Sequence, residues 1–384
     1  MSSMSDSYRN SANTPSKQTL TKYIAMALLA LLSFGLTGLG AIVVMFALST
    51  LRAGRDSAAS HGISSRNSSR LGGVAIVITF ILFLIGMVLL SSYTPGVVRD
   101  VTFLHVWSTV FVCVILGGAE DIKADLLSPY FRLVVKLLAF GFFLWTTPNV
   151  VPSVIGIPGI DYLLSVPLVA WGLCTIFCVG FINAFNMADG ANGLIPGIAT
   201  IAFGILFLVY GRPAEGVLFF VCLMFLIFNV VSGWFFLGDM GSYGLGAVLV
   251  CYGLLGVAQG DFSAGFMASL LSYPCVDFLV SVIRRLRKGL SPLQADNGHL
   301  HNRLYSFYAP KFKSRVTPNS LTGLTISSGS SGVSLIIYVF DWIAIDSNTW
   351  FGIFGIQVVV YLIILSRLRR TQMNQSELII GMSS

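Results

Sequence analysis

This sequence is short of charge. Lys and Arg number 23 and Asp and Glu 16 in 384 residues, so charged side chains are 10% of the chain while hydrophobic ones are 55%. Soluble domains carry about 25% charged residues, so the composition excludes a soluble globule and describes a polytopic membrane protein. A disulfide framework is also missing. Cys113, Cys174, Cys178, Cys222, Cys251 and Cys275 all sit in apolar runs and read as small buried hydrophobes. Cys174 and Cys178 share a helix face, but no second thiol pair or nearby His completes a zinc set. No GxxxxGK[ST] loop occurs, which argues against P-loop nucleotide hydrolysis. No clear internal repeat emerges, which counts against a transporter built from inverted repeats. No cleavable signal peptide is evident either. The first apolar run starts near Tyr23 behind a polar, Ser-rich leader and is too long for a signal core.

What the chain has is long apolar runs. Stretches near 23–49, 71–92, 102–118, 131–148, 163–184, 193–211, 216–236, 244–260, 264–283, 325–346 and 350–366 are candidate spans, a span needing about 20 residues. The stretch 325–346 is the weakest, being Ser/Gly-rich at first and containing Asp341. The expectation is an all-α integral membrane protein of about 11 transmembrane helices. Residues 1–22 read as a disordered tail, 23–366 as the transmembrane domain with its cytoplasmic loops, and 367–384 as a cytoplasmic C-terminal tail. Loops 50–70, 119–136 and 284–322 and the segment after 366 hold 18 of the 23 basic residues. The positive-inside rule puts them in the cytoplasm, which with an odd number of spans places the N-terminus outside and the C-terminus inside. Inside loops facing anionic lipid account for the net charge of +7 without a nucleic-acid partner.

The polar chemistry gathers on that same side, in four stretches. In GGAEDIKADLLSPYFRL, residues 117–133, Asp121 and Asp125 are four apart, so one helical face can present both. Two convergent carboxylates bind a hard cation or divide into base and ligand, unless this is only a solvated acidic loop. In FINAFNMADGANGLIPG, residues 181–197, Asn183, Asn186, Asp189 and Asn192 follow an apolar run long enough to cross a bilayer. Asn183 and Asn186 share a helix face, and the cluster exceeds what a helix cap needs. In FLGDMGSYGLG, residues 236–246, Asp239 stands between glycines, which suits either a ligand approached by backbone or a tight turn. In RRLRKGLSPLQADNGHLHNRL, residues 284–304, His299, His301 and Arg303 alternate, sharing one side if the segment is extended. These donors suit a diphosphate, while the basic run before them reads as membrane anchoring. Carboxylates, amides and His/Arg donors on one membrane face describe phosphoryl transfer assisted by a divalent metal.

Together the four stretches resemble the polyprenyl-phosphate N-acetylhexosamine-1-phosphate transferases, glycosyltransferase family 4, whose relatives include the phospho-N-acetylmuramoyl-pentapeptide transferase. The family's Asp-rich, NAFNxxDGxDGL-like, FxGDxG and HxHH motifs read here as GAEDIKAD, NAFNMADGANGL, FLGDMGSYGLG and HLHN, and SRLGGVAI at 69–76 matches its Gly-rich second-span start. The likeness runs from about residue 66 to 305 in matching order. Three positions depart. The adjacent Asp pair reads Glu120-Asp121 or Asp121-Ile122, the second Asp of DGxDG is Asn192, and the last His of HxHH is Asn302.

The resemblance implies attack of a polyprenyl-phosphate oxygen on the β-phosphorus of a UDP-N-acetylhexosamine, releasing UMP and requiring Mg²⁺, with Mn²⁺ as an alternative. It implies catalytic roles for Asp121, Asp125 and Asp189 and metal ligation by Asp239 and Asp121. Asn183, Asn186, Asn192, His299, His301 and Arg303 would contact substrate. It also implies a multi-pass protein of the bacterial cytoplasmic membrane, with a homodimer as one option. A lipid-linked-sugar flippase is the contrasting reading and needs polar groups near the midplane, where Asn229 and Asp277 are the candidates. An inactive relative is the third reading.

Overall fold

The computed structural model describes residues 38–51, 69–90, 101–123, 126–291 and 296–383, with isolated positions 28 and 35. The predicted N-terminal tail, the start of the predicted first span and Asp125 lie outside the described residues. The described residues are helical apart from turns and one isolated bridge. In chain order the helices are α1 (Gly38–Thr50), α2 (Gly72–Leu90), α3 (Val101–Ile122), α4 (Pro129–Thr146), α5 (Pro158–Leu164), α6 (Pro167–Met187), α7 (Leu194–Tyr210) and α8 (Pro213–Ser232). Then come α9 (Gly238–Gln259), α10 (Ala264–Leu270), α11 (Ser272–Arg287), α12 (Leu300–Tyr308), α13 (Val316–Ser327), α14 (Val333–Val339) and α15 (Trp350–Ser383). Prolines open α4, α6 and α8, where a missing N–H costs nothing.

Every predicted span contains a helix, but the count of eleven full spans is not reproduced. Among the described residues seven helices are long and apolar enough to cross a membrane, or eight if α10 and α11 are one span bent by 80°. The helices Gly38–Thr50, Gly72–Ile85 and Leu194–Tyr210 are apolar but shorter. The weak stretch 325–346 is shifted. Its helix runs Val316–Val339 because the Ser/Gly segment Ser328–Gly332 is absorbed as a π turn inside it, and Asp341, at φ 52°, lies in the turn beyond its end.

The centre of the bundle is α9. It is buried without interruption from Gly241 to Gly256, with α2, α3 and α6 packed around it. Its sequence is small or apolar on every face, which suits a helix surrounded by other helices rather than lipid. At the opposite extreme, α15 turns Ile356, Val359, Val360, Leu362, Ile363 and Ile364 outward. The start of α9 is tied to the start of α2 by backbone. Ser69 N–H donates to Trp234 O at 3.0 Å, Phe236 N–H to Ser69 O at 2.8 Å, and Gly73 N–H to Leu237 O at 2.7 Å. Amides that α2 cannot pair internally are thus satisfied by the loop entering α9.

Candidate active site

The first turn of α9 has no capping side chain of its own. Its amides are paired from another helix. Asp239 N–H donates to Asp121 Oδ1 at 2.9 Å and Met240 N–H to Asp121 Oδ2 at 2.8 Å. A buried carboxylate at a helix N-terminus gains both charge-assisted hydrogen bonds and the helix dipole. Gly117, one turn before Asp121 on α3, permits the contact. A Cβ there would lie 2.3 Å from Asp239 O. The sequence expectation made Asp121 a metal ligand or base; in the structure both of its oxygens are taken up by α9.

The cap aims Asp239. Its Oδ2 pairs with Arg132 Nη1 at 3.2 Å, and its Oδ1 accepts from Asn186 Nδ2 at 2.9 Å. Asn186 also donates to Ser242 Oγ at 2.8 Å, and Arg132 lies 3.7 Å from Glu120 Oε1. One turn along α4, the buried Lys136 donates to Asn183 Oδ1 and stands 4.1 Å above the centroid of the Tyr243 ring. Asn183 and Asn186 therefore point from α6 toward one polar seam between α4 and α9.

Asp189 follows the end of α6 at the head of this seam. Its carboxylate makes no hydrogen bond to a described residue. Asp189 is half-buried. Burial, and then the charges of Asp239 and Asp121, push its carboxyl up to about 8. Among the described residues no three His, Cys, Asp or Glu side chains converge as a ready-made metal cage. Asp189 and Asp239 nevertheless keep acceptor capacity. Two carboxylates completed by substrate phosphate oxygens is the arrangement Mg²⁺ favours, and such a cation would relieve the crowding of charge at Asp189.

The histidine segment is not extended, so the condition for alternation to put its three side chains on one side is not met. α12 begins at Leu300, so His299 precedes the helix while His301 and Arg303 lie on it. The two imidazoles still come together, stacked with centroids 5.2 Å apart and planes 9° apart. His299 Nδ1 lies 2.5 Å from Asp277 Oδ2, and His301 Nδ1 lies 2.9 Å from Tyr273 OH. Burial pushes His301 down to about 4, so it is neutral near pH 7. Its Nε2 abuts Gly190, where a Cβ would sit 2.2 Å away. That contact brings the histidines against the turn carrying Asp189. Arg303 is half-buried beside Arg284, Arg369 and Tyr361.

Asn192 lies apart from the seam. It is 2% exposed, and its N–H donates to Asn319 Oδ1 of α13 at 3.1 Å. Sequence reasoning did not single out Arg132, Lys136, Tyr273 or Tyr361 for the site, and weighed Asp277 only for transport. The available signal was a charge within an apolar run, at Lys136 and Asp277.

The family model of glycosyl transferase family 4 matches residues 103–257. Those residues hold the Asp121 cap, the α4 cations, both asparagines of the seam, Asp189 and Asp239. Over those residues the chain is similar to glycosyl transferase family 4. The family match stops before the histidine segment. Among curated relatives, the chain is 30% identical to the phospho-N-acetylmuramoyl-pentapeptide-transferase of Deinococcus radiodurans, over 50% of this chain and 63% of that protein. It is 28% identical to the decaprenyl-phosphate N-acetylglucosaminephosphotransferase of Mycobacterium tuberculosis, over 61% and 65%. It is 23% identical to the probable undecaprenyl-phosphate N-acetylglucosaminyl 1-phosphate transferase of Bacillus subtilis, over 79% and 81%. The chain spans 39%, 63% and 59% of the length of the first three relatives, less than two thirds in each case. The family, the helical fold and the membrane character agree with the sequence expectations.

Proposed function

We propose that this protein, similar over residues 103–257 to glycosyl transferase family 4, transfers an N-acetylhexosamine 1-phosphate from a UDP-sugar to a polyprenyl phosphate. A non-bridging oxygen of the acceptor phosphate forms a bond to the β-phosphorus of the nucleotide sugar. The bond from that phosphorus to the oxygen bridging to the α-phosphorus breaks, and its electron pair leaves on UMP. The carrying observation is the unbonded Asp189 carboxylate set near an Asp239 that Arg132 and Asn186 hold in place, with His301 across the Gly190 turn.

Asp189 and Asp239 are the residues that would hold Mg²⁺, which supplies charge neutralisation and polarisation of the phosphorus when bound. Asp121 fixes the turn that carries Asp239. Arg132 and Lys136 offset phosphate charge from the α4 side, and Asn183 and Asn186 orient both walls of the seam. His299, His301 and Arg303 form the opposite wall, where UMP departs. The acceptor is already anionic near neutral pH, so positioning matters more than deprotonation. The positive-inside count puts this face in the cytosol, where nucleotide sugars are made, in a bacterial cytoplasmic membrane.

The transport reading loses its support. Asn229 Oδ1 accepts from Gly193 N–H and its Nδ2 donates to Phe235 O, both at 2.6 Å, and Asp277 is fully bonded to protein groups. Purified protein with undecaprenyl phosphate and a panel of UDP-N-acetylhexosamines tests the proposal. UMP release with at least one sugar is expected. No release with any would leave the inactive-relative reading in place.

A further inference from the structure

Asp277 takes no part in the reaction outlined above, yet the fold surrounds it with donors. It lies on α11 and is 1% exposed. A carboxylate buried in an apolar helix is costly unless its lone pairs are met. Here they are met from three directions. Oδ1 accepts from Tyr361 OH of α15 at 2.6 Å and from Leu300 N–H at the start of α12 at 3.1 Å. Oδ2 faces His299 Nδ1 at 2.5 Å. With Oδ1 occupied by two donors, the carboxylate is the acceptor for His299, so Nδ1 carries the proton. The other ring nitrogen, Nε2, makes no hydrogen bond to a described residue. His301, stacked on the same ring, is anchored separately through Tyr273. Each imidazole thus has one nitrogen fixed by the bundle.

We propose that Asp277 is a positioning residue for phosphate handling. It holds a proton on His299 Nδ1, turns Nε2 toward the substrate, and balances the positive charge of the ring once Nε2 has taken a second proton from solvent, so that Nε2–H donates to a phosphate oxygen of the departing nucleotide. This inference rests on the transferase reading. Tyr361 and the Leu300 amide hold the carboxylate against rotation. The otherwise lipid-facing α15 reaches the Asp277 carboxylate through that hydroxyl. A carboxylate, an oriented imidazole and a developing phosphate charge in line make the pair stronger in the transition state than in the resting protein.

The alternative is a tie that merely joins α11, α12 and α15, and the experiment separates the two. Wild type, Asp277→Asn, Asp277→Glu, Tyr361→Phe and His299→Gln are purified and assayed for UMP release. The same proteins are labelled with ¹⁵N-histidine for NMR in detergent, His299→Gln identifying the His299 signals. Asp277→Asn is expected to keep the KM for the nucleotide sugar, to lose about 10²-fold in kcat, and to lose the His299 Nδ1–H signal. Tyr361→Phe leaves the His299 pair in place and is expected to keep that signal with a kcat loss of about tenfold at most. Asp277→Asn with wild-type kcat, or with unchanged His299 ring signals, overturns the proposal. Should Asp277→Asn not purify, Asp277→Glu carries the test: it should keep the Nδ1–H signal and exceed the kcat of His299→Gln, and a kcat no better than His299→Gln overturns the proposal. If wild type releases no UMP, the transferase reading fails by itself, and the His299 signals still decide whether Asp277 sets the ring.

Discussion

Replacing Asp121 with Asn removes a charge from the start of α9 and little else. The Asn carbonyl can still accept one of the two α9 amides, but its NH2 group then faces the other, donor to donor. A buried N–H left unpaired costs about 1–3 kcal/mol. Losing the anion at the helix N-terminus adds roughly 0.3–2 kcal/mol. Relief from burying a charge offsets part of this. The expected net loss is about 2–4 kcal/mol, a fall of about 4–10 °C in Tm for a domain of a few hundred residues. The buried cysteines provide the assay. Cys113 on α3 and Cys251 on α9 are both buried, so a thiol-reactive fluorophore reports the heating step at which these helices part. Activity should fall with stability, because Asp239 sits on the turn that Asp121 holds. A wild-type Tm in Asp121→Asn would show that the cap contributes nothing and that Asp121 acts as a ligand or base instead.

Asp239→Asn should give the opposite pattern: a Tm near wild type, since the side chain is partly exposed, with UMP release abolished; undiminished wild-type activity in EDTA would rule out metal dependence. Gly190→Ala places a methyl where His301 Nε2 lies and should lower kcat steeply, whereas wild-type kinetics would mean that the two walls do not meet. His301 is held below its unfolded value, near 6.5, at about 4, so its contribution to stability is complete above pH 6.5 and is lost as pH falls from there toward 4. Tm measured across that window should decline in wild type and less in His301→Gln, and equal slopes would refute the assignment. Cysteine placed at Ser314 in a background without the native cysteines should resist an impermeant thiol reagent added to intact cells, and ready labelling there would reverse the orientation.

Membrane character and helix positions follow from the sequence alone, because the bilayer requires backbone hydrogen bonds to close within each apolar run. Apolar length then marked α4, α6 and α8. Where reading failed, local cost was overridden by neighbours. The Ser/Gly-rich first half made 325–346 the weakest candidate span, but Ser330 Oγ and Ser331 Oγ bond to the carbonyls of Ile326 and Leu270, and the helix continues through it. The alternation of His299, His301 and Arg303 would put them on one side only in an extended segment, and spacing says nothing about where α12 starts.

The sequence by itself determined which residue types were available for chemistry, the order of the motifs that carry them, and the family they resemble. Motif order and loop charge are linear properties, and they survive folding unchanged. Only the tertiary structure decided how the carboxylates divide their work. Asp121 and Asp239 look equivalent as isolated acids, yet Asp121 is turned inward to close α9 while Asp239 is turned toward Arg132 and Asn186. Likewise Asp277 is one acid in an apolar run until α12 and α15 bring His299 and Tyr361 to it. The reason is distance along the chain. Asp121 is separated by 118 residues from the amide it caps and Tyr361 by 84 from the carboxylate it binds, and no local pattern encodes contacts that exist only after the helices pack.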